Sequence, residues 1–216
     1  MKKILVIIMT VLMCMLPAAC ANDASEGEEA GRNIGTFTSE DMDGNEVTEA
    51  IFADKDVTVL NIWATFCGPC IGEMPDLAAL SEELPDNAQV IGIVIDTQQG
   101  ENVDLAGEIC NEAGVKFTNI LASETVLETF GFVEAVPTTF ILDSSGNVIG
   151  KPIVGADVEG YKEAAEDYLA GLSRIGKQKE NCDRSIAACS LRRTCNCRCH
   201  ARGSACSVHK GGEYLP

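Results

Sequence analysis

Cys67 and Cys70 lie between a stretch with the pattern of a strand and a stretch with the pattern of a helix. That junction limits what this chain can fold into more than any other feature of it. Before the pair, Val57-Thr58-Val59-Leu60-Asn61-Ile62 has the β-branched content of a buried strand. After it, apolar residues recur at Ile71, Met74, Leu77, Leu80 and Leu84, which is helical spacing. The first cysteine therefore falls at a helix start, where unpaired N–H groups and the positive end of the helix dipole stabilise a thiolate. A Cys-x-x-Cys pair alone also serves as half of a zinc site or as a structural bridge. With this strand before it and this helix after it, the pair reads as a redox couple, in which one thiolate attacks and the other releases.

The alternation continues along the chain. Phe37-Thr38 and Met42-Asp43-Gly44-Asn45-Glu46-Val47 predict a hairpin around a D-G turn. A strand is expected over 57–63 and a helix over 67–84, with Pro75 inside that helix and able to kink it. Residues 89–96 form a near-continuous apolar run, the mark of a strand covered on both faces. Then follow a helix over 103–113, a strand over 115–122 and a short helix over 124–130. Two strands over 138–142 and 148–154 come next, and a closing helix over 158–172 carries Tyr161, Ala164, Ala165, Tyr168 and Leu169 on one face. Strands alternating with helices and ending in a hairpin predict an α/β domain over 36–172, a central mixed sheet with helices on both faces and an N-terminal β-hairpin.

The ends differ from this domain. Lys2-Lys3, the apolar run from Ile4 to Leu16 and Pro17-Ala18-Ala19-Cys20 make residues 1–20 an export signal, too short to be a comfortable membrane anchor. Cys20 after two alanines is similar to a lipobox, whose cysteine is lipidated, although Pro17 stands where leucine is usual; Ala19-Cys20-Ala21 also fits ordinary cleavage. Residues 21–35, acidic and rich in small residues, read as a flexible tether. Residues 173–216 are basic and hold Cys182, Cys189, Cys195, Cys197, Cys199 and Cys206 with His200 and His209. Their spacing fits no standard zinc, haem or cluster template. A disordered tail, an extension from a shifted or fused reading frame, and metal binding or extra disulfides all remain open there.

Charge narrows the partners. Net charge is −17, and between Ala21 and Leu172 the basic residues are only Arg32, Lys55, Lys116, Lys151 and Lys162. Such a domain is not expected to bind nucleic acid or to lie against an anionic lipid surface. Cys110, within the predicted helix over 103–113, reads as an inert buried thiol.

The motif Trp63-Ala64-Thr65-Phe66-Cys67-Gly68-Pro69-Cys70, then Glu73-Met74-Pro75, and later Val136-Pro137-Thr138-Thr139-Phe140-Ile141-Leu142-Asp143, resembles the thioredoxin superfamily. Within it, the chain resembles the TlpA/ResA-type extracytoplasmic thiol–disulfide oxidoreductases, over about residues 35–172. The resemblance implies a thioredoxin-like fold and protein-disulfide reductase activity. It implies no cofactor beyond the Cys67–Cys70 disulfide, and no metal. Cys67 is the expected nucleophile and Cys70 the resolving thiol. Gly68 and Pro69 admit close backbone approach and a tight first helical turn, and Trp63 is expected beside the disulfide. Pro137 is similar to the superfamily's cis-proline, which presents Val136 backbone to an incoming chain; from the residues alone it could also open a strand in trans.

Glu73 has two readings. As a residue it can be a solvated helix glutamate, or it can tune the pair, in which case Glu73→Gln is expected to change stability little and to shift the pH dependence of reduction. The resemblance instead implies an acid–base role toward Cys70, the more so because Asn61 stands where cytoplasmic thioredoxins carry a buried aspartate. The implied partners are disulfide-bonded exported proteins, apocytochrome c among them, and a thiol-reducing donor in the membrane. The protein is expected outside the cytoplasm, held to the membrane through Cys20 or else secreted. A disulfide oxidant using the same pair, and a metallochaperone on this fold, are the alternatives.

Overall fold

The first pairing along the chain is the predicted hairpin: β1 (Thr38–Glu40) and β2 (Glu46–Thr48) run antiparallel, Ser39 opposite Val47. The turn between them is made by Asp41, whose carboxylate accepts the N–H groups of Asp43 and Asn45, both at 2.9 Å. Gly44 takes the positive φ of 82° that this turn requires. The computed structural model describes residues 31–190, 195–198 and 207–210. Cys20 and the rest of the expected export signal, most of the tether, and Cys199, Cys206 and His200 lie outside the described residues.

The main sheet has the order β5-β4-β3-β6-β7. Its central strand β3 (Val57–Trp63) is buried at every residue, as a strand flanked on both sides and covered on both faces must be. It pairs in parallel with β4 (Ala88–Val94) and antiparallel with β6 (Thr138–Asp143), Asn61 standing opposite Thr139. The edges are β5 (Asn119–Leu121) and β7 (Val148–Val154). The helices are α1 (Gly68–Glu83), α2 (Val103–Ala113), α3 (Glu124–Phe130) and α4 (Val158–Ser190). A 3-10 turn over Glu49–Asp54, capped by the Thr48 hydroxyl, joins the hairpin to the sheet. This is the expected mixed sheet with its flanking helices and N-terminal hairpin.

The period-2 alternation of β3 divides the core in two. Val57, Val59 and Trp63 face a cluster with Met74, Leu77 and Leu80 of α1, Ala106 and Cys110 of α2, and Tyr161 and Ala165 of α4. Leu60 and Ile62 face the other cluster, with Phe37, Phe52, Phe130 and Phe140. Asn61 has the parity of Val59 and Trp63, so its amide enters the α1–α4 side.

The structure departs from the sequence reading beyond Leu172. There α4 continues to Ser190, and residues 173–181 are exposed. That stretch contains no proline and is rich in lysine, arginine, glutamine and glutamate, which extend a helix without needing a buried face. The absence of an apolar stripe there is what made it read as structureless. Further on, β8 (Cys195–Arg198) and β9 (Ser207–Lys210) pair antiparallel. Among the described residues no helix is long and apolar enough to cross a membrane.

Candidate functional site

Cys67 is the N-cap of α1, with φ −89° and ψ 101°, and its Sγ accepts the N–H of Cys70 at 3.2 Å. One free backbone amide N–H of the helix end is thus spent on the nucleophile's sulfur, the arrangement that favours a thiolate once the bond opens. The two sulfurs are joined, S–S 2.04 Å. Cys67 retains 6% exposure and Cys70 none, so only the first sulfur can meet a partner. Gly68 and Pro69 are exposed beside it.

Three neighbouring segments hold the pair in place. The loop Ala64-Thr65-Phe66 is latched from β4's end: the Thr65 N–H lies 3.1 Å from both carboxylate oxygens of Asp96, and its hydroxyl donates to Oδ2 at 2.5 Å. Phe66, immediately before the nucleophile, is 74% exposed. On the opposite side the Val136–Pro137 bond is cis, and the Val136 carbonyl oxygen stands 3.5 Å from Cys67 Sγ. Val136 is half-buried and Pro137 buried. Behind the pair, Trp63 is fully buried and donates its indole N–H to Asn119 Oδ1 at 2.9 Å. Gly92 leaves room for that bond, since a Cβ there would stand 2.0 Å from the Asn119 oxygen. Trp63 therefore forms the wall behind the disulfide, the place beside the pair expected of it.

Of the two readings of Glu73, its burial excludes the solvated one: it is 4% exposed. Cys70, Glu73, Met74 and Leu77 fall at i, i+3, i+4 and i+7 of α1, which is its buried stripe, whereas Ile71 is 38% exposed. Inside, Asn61 Nδ2 donates to Glu73 Oε1 at 2.9 Å and to Thr139 Oγ1 at 3.0 Å. The Tyr161 hydroxyl lies 3.1 Å from Glu73 Oε2. Burial pushes the Glu73 carboxyl above the ordinary carboxylate range, against the hydrogen bonds donated by Asn61 and Tyr161, and the Asp76 charge adds to the upward shift. Asn61 Oδ1 is buried without a partner among the described residues, because orienting the amide toward the glutamate turns its carbonyl away.

The arrangement brings Cys67, Cys70, Val136 and Pro137 together at one surface, with Glu73 and Asn61 beneath it. Tyr161, Thr139, Asp96 and Asn119 belong to it as well and were not singled out from the sequence. The one signal for Tyr161 was a tyrosine on a buried helix face, whose hydroxyl must find a partner. Cys110 stands apart, buried, its thiol pushed up to about 11 by burial. At ordinary pH it is a neutral thiol and takes no part. No cluster of three or more histidine, cysteine, aspartate or glutamate side chains suited to a metal occurs among the described residues.

The comparisons agree with this geometry. The Redoxin family pattern matches residues 29–169. The chain is 30% identical to thiol-disulfide oxidoreductase ResA of Bacillus subtilis, over 75% of this chain and 88% of that protein. It is 28% identical to ResA of Bacillus anthracis, over 80% of this chain and 99% of that one. Among solved structures, a DsbF homologue from Corynebacterium diphtheriae superposes with a TM-score of 0.54 at 25% identity, covering 66% of this chain and 88% of the other. The chain belongs to the Redoxin family, as a thiol–disulfide oxidoreductase of the ResA kind whose redox pair is Cys67–Cys70.

Proposed function

We propose that this oxidoreductase works outside the cytoplasm as a membrane-tethered reductase of disulfides in exported proteins, apocytochrome c among them, and is recharged by a thiol donor in the membrane. The observation that carries the reductive direction is the charge beside the pair. A cavity of about 560 Å³ opens next to Pro69, and Glu73, Asp76, Glu83, Asp157 and Glu159 line it. The cation there, Lys162, is bound to Glu83 at 2.7 Å. Negative charge near a thiol disfavours its thiolate. A couple whose dithiol gains little as thiolate keeps its electrons less well, so it is the stronger reductant.

The chemistry follows from the placement. The Cys67 thiolate attacks a substrate disulfide that lies along the Val136 backbone, forming a mixed disulfide and releasing one substrate thiolate. Cys70, as thiolate, then attacks Cys67 Sγ, closing the pair and releasing the second substrate thiolate. Two electrons pass to the substrate. Glu73, one helical turn from Cys70 and buried with it, takes the Cys70 proton in this step and returns it when the donor reopens the disulfide.

Equilibration with glutathione buffers tests the direction. A potential nearer about −270 mV than −120 mV is expected, and a value above about −180 mV moves the protein to the oxidant class. The tether rests on Cys20 following Ala18-Ala19 at the end of the export signal. Cys20→Ser is expected to move the protein from the membrane to the soluble fraction. A mature N-terminus carrying no lipid would mean ordinary secretion.

A further inference from the structure

Where the chain leaves the sheet for the cysteines, a side chain takes over from the backbone ladder. The last backbone bond between β3 and β4 runs from the Ile95 N–H to the Trp63 carbonyl at 3.0 Å. In a parallel pair the next bond would run back from the Thr65 N–H to the Ile95 carbonyl. The Asp96 carboxylate takes that N–H instead, at 3.1 Å from both oxygens, and Oδ2 also accepts the Thr65 hydroxyl at 2.5 Å. Thr65 is buried, so its hydroxyl needs such a partner. Among the described residues, every hydrogen bond to the Asp96 carboxylate comes from Thr65.

Asp96 is itself held from behind. Asn102, the N-cap of α2, has a left-handed φ of 55° and brings its Nδ2 to the Asp96 carbonyl oxygen at 2.9 Å. A residue other than glycine persists in that conformation only where its surroundings hold it there. Next to Asp96, the buried Thr97 donates its hydroxyl to the Val94 carbonyl at 2.9 Å and accepts the Ala122 N–H at 2.8 Å, which ties this point to β5. The carboxylate thus has a fixed backbone and a single recipient.

That recipient sets the nucleophile. The Cys67 N–H returns to the Ala64 carbonyl at 3.1 Å, so residues 64–67 form one turn with Thr65 and Phe66 at its centre. Phe66 is exposed, and the hold on the turn's centre comes through Thr65. Only two Cα steps of about 3.8 Å separate Thr65 from Cys67, so a displacement of one is carried to the other. Cys67 Sγ has a place to keep, 3.5 Å from the Val136 carbonyl oxygen.

We propose that Asp96 is a positioning residue for the attacking sulfur: by holding Thr65 through its N–H and its hydroxyl, it fixes the turn that delivers Cys67 to the N-cap of α1 beside the Val136 backbone. The role is the same whichever way the electrons run, so it does not depend on the protein being a reductant. It does rest on Cys67 being the sulfur that attacks.

The test uses the full chain and two readouts. One is insulin-disulfide reduction. The other is alkylation of the reduced protein by iodoacetamide, followed on the Cys67 peptide by mass spectrometry, at a pH where further base no longer raises the rate. Thr65→Val removes the hydroxyl and keeps the branched shape, and Asp96→Ala removes the acceptor. Each is expected to slow insulin reduction about three- to tenfold, part of the roughly ten- to hundredfold that a hydrogen bond to a charged group is worth. Thr65→Ser, which keeps the hydroxyl, is expected to hold the parent's rate. The double variant is expected to be no slower than Asp96→Ala alone, because both substitutions open the same latch. Alkylation of Cys67 is expected to stay at the parent's rate throughout, since a small reagent needs no alignment with Val136. Single variants at the parent's insulin rate, additive losses in the double variant, or a Thr65→Ser as slow as Thr65→Val overturn the assignment of Asp96. So does a loss that appears equally in alkylation, which would place the effect in the sulfur's own reactivity. Alkylation of the parent at Cys70 in place of Cys67 overturns the choice of nucleophile, and the proposal with it. Should Asp96→Ala not fold, Asp96→Asn, which keeps the side chain's size and one oxygen for Thr65, takes its place in the cycle with the same outcomes.

Discussion

The two faces of the central sheet are built for different purposes. On one, Leu60, Ile62, Phe140 and Leu142 meet Phe37, Phe52 and Phe130, with ring pairs at 5.7–6.4 Å reaching out to Phe132. On the other, an equally buried layer is interrupted by Asn61, Thr139, Glu73 and the Tyr161 hydroxyl, directly under the cysteines. The first face gains its stability from apolar area, at about 1.5–3 kcal/mol for each large side chain fully buried. The second gives up part of that gain to keep a titrating carboxyl out of water. The difference teaches where substitutions should act on stability and where they should act on chemistry.

The largest effect lies on the site itself. Cys67→Ser is expected to abolish insulin-disulfide reduction, because it removes the one sulfur of the pair with access to solvent. Cys70→Ser is expected to leave mixed disulfides with substrate unresolved, visible on non-reducing gels. A Cys67→Ser protein that keeps its activity would make the buried sulfur the nucleophile and remove the reason for the exposed position.

Next comes the apolar face. Phe140 is 1% exposed and stacks edge-on against Phe132. Phe140→Ala is expected to cost about 3–5 kcal/mol in denaturant unfolding. The redox potential of the folded fraction should stay where it was. A potential that moves with this substitution would mean that the two faces are coupled through β6.

How the two faces read from sequence differs in the same way. The strands and helices that build both were legible, because β-branched runs and helical spacing follow from burial, and burial is what hydropathy records. α2, α3, β3 and β7 lie at their expected bounds. The cysteines were legible because their chemistry needs that junction. The polar insertion was not. On α1 the apolar pattern set Ile71 inward and left Glu73 with two readings, whereas the buried stripe runs through Cys70, Glu73, Met74 and Leu77. A charged residue inside a buried stripe is the one thing hydropathy assigns to the wrong side. Tyr161 and Glu73 are 88 residues apart in the chain, and nothing local in the sequence pairs them.

Asn61 gives an intermediate test. Asn61→Ala removes the donor to Glu73 Oε1 and also removes the unpartnered Oδ1, so the two effects oppose each other. The net cost is expected near the lower end of the roughly 1–3 kcal/mol charged for an orphaned buried polar group. Without that donor the charged form of Glu73 is less favoured, and its titration should move to higher pH. A shift to lower pH would show that the amide presents its carbonyl, not its NH2, to the glutamate.

The smallest effect is a slope. A carboxyl whose folded value is raised above its unfolded one binds more protons in the folded state than in the unfolded state. Its contribution to stability is complete below the unfolded value and is lost as pH rises through the folded value. For Glu73 that window opens above the ordinary value of 4.5 and extends upward, the direction in which burial drives it. The parent protein should therefore lose stability across that window relative to Glu73→Gln, which keeps the side chain's size and cannot titrate. At acidic pH the two should lie close together, since Gln reproduces a neutral acid with a hydrogen-bonding amide. Measured as the difference in unfolding free energy against pH, the curve should be flat at the acid end and fall toward neutrality in favour of the glutamine. A difference that instead grows in favour of glutamate as pH rises would mean that the site stabilises the carboxylate, and the polar face would then hold a fixed charge and not a proton.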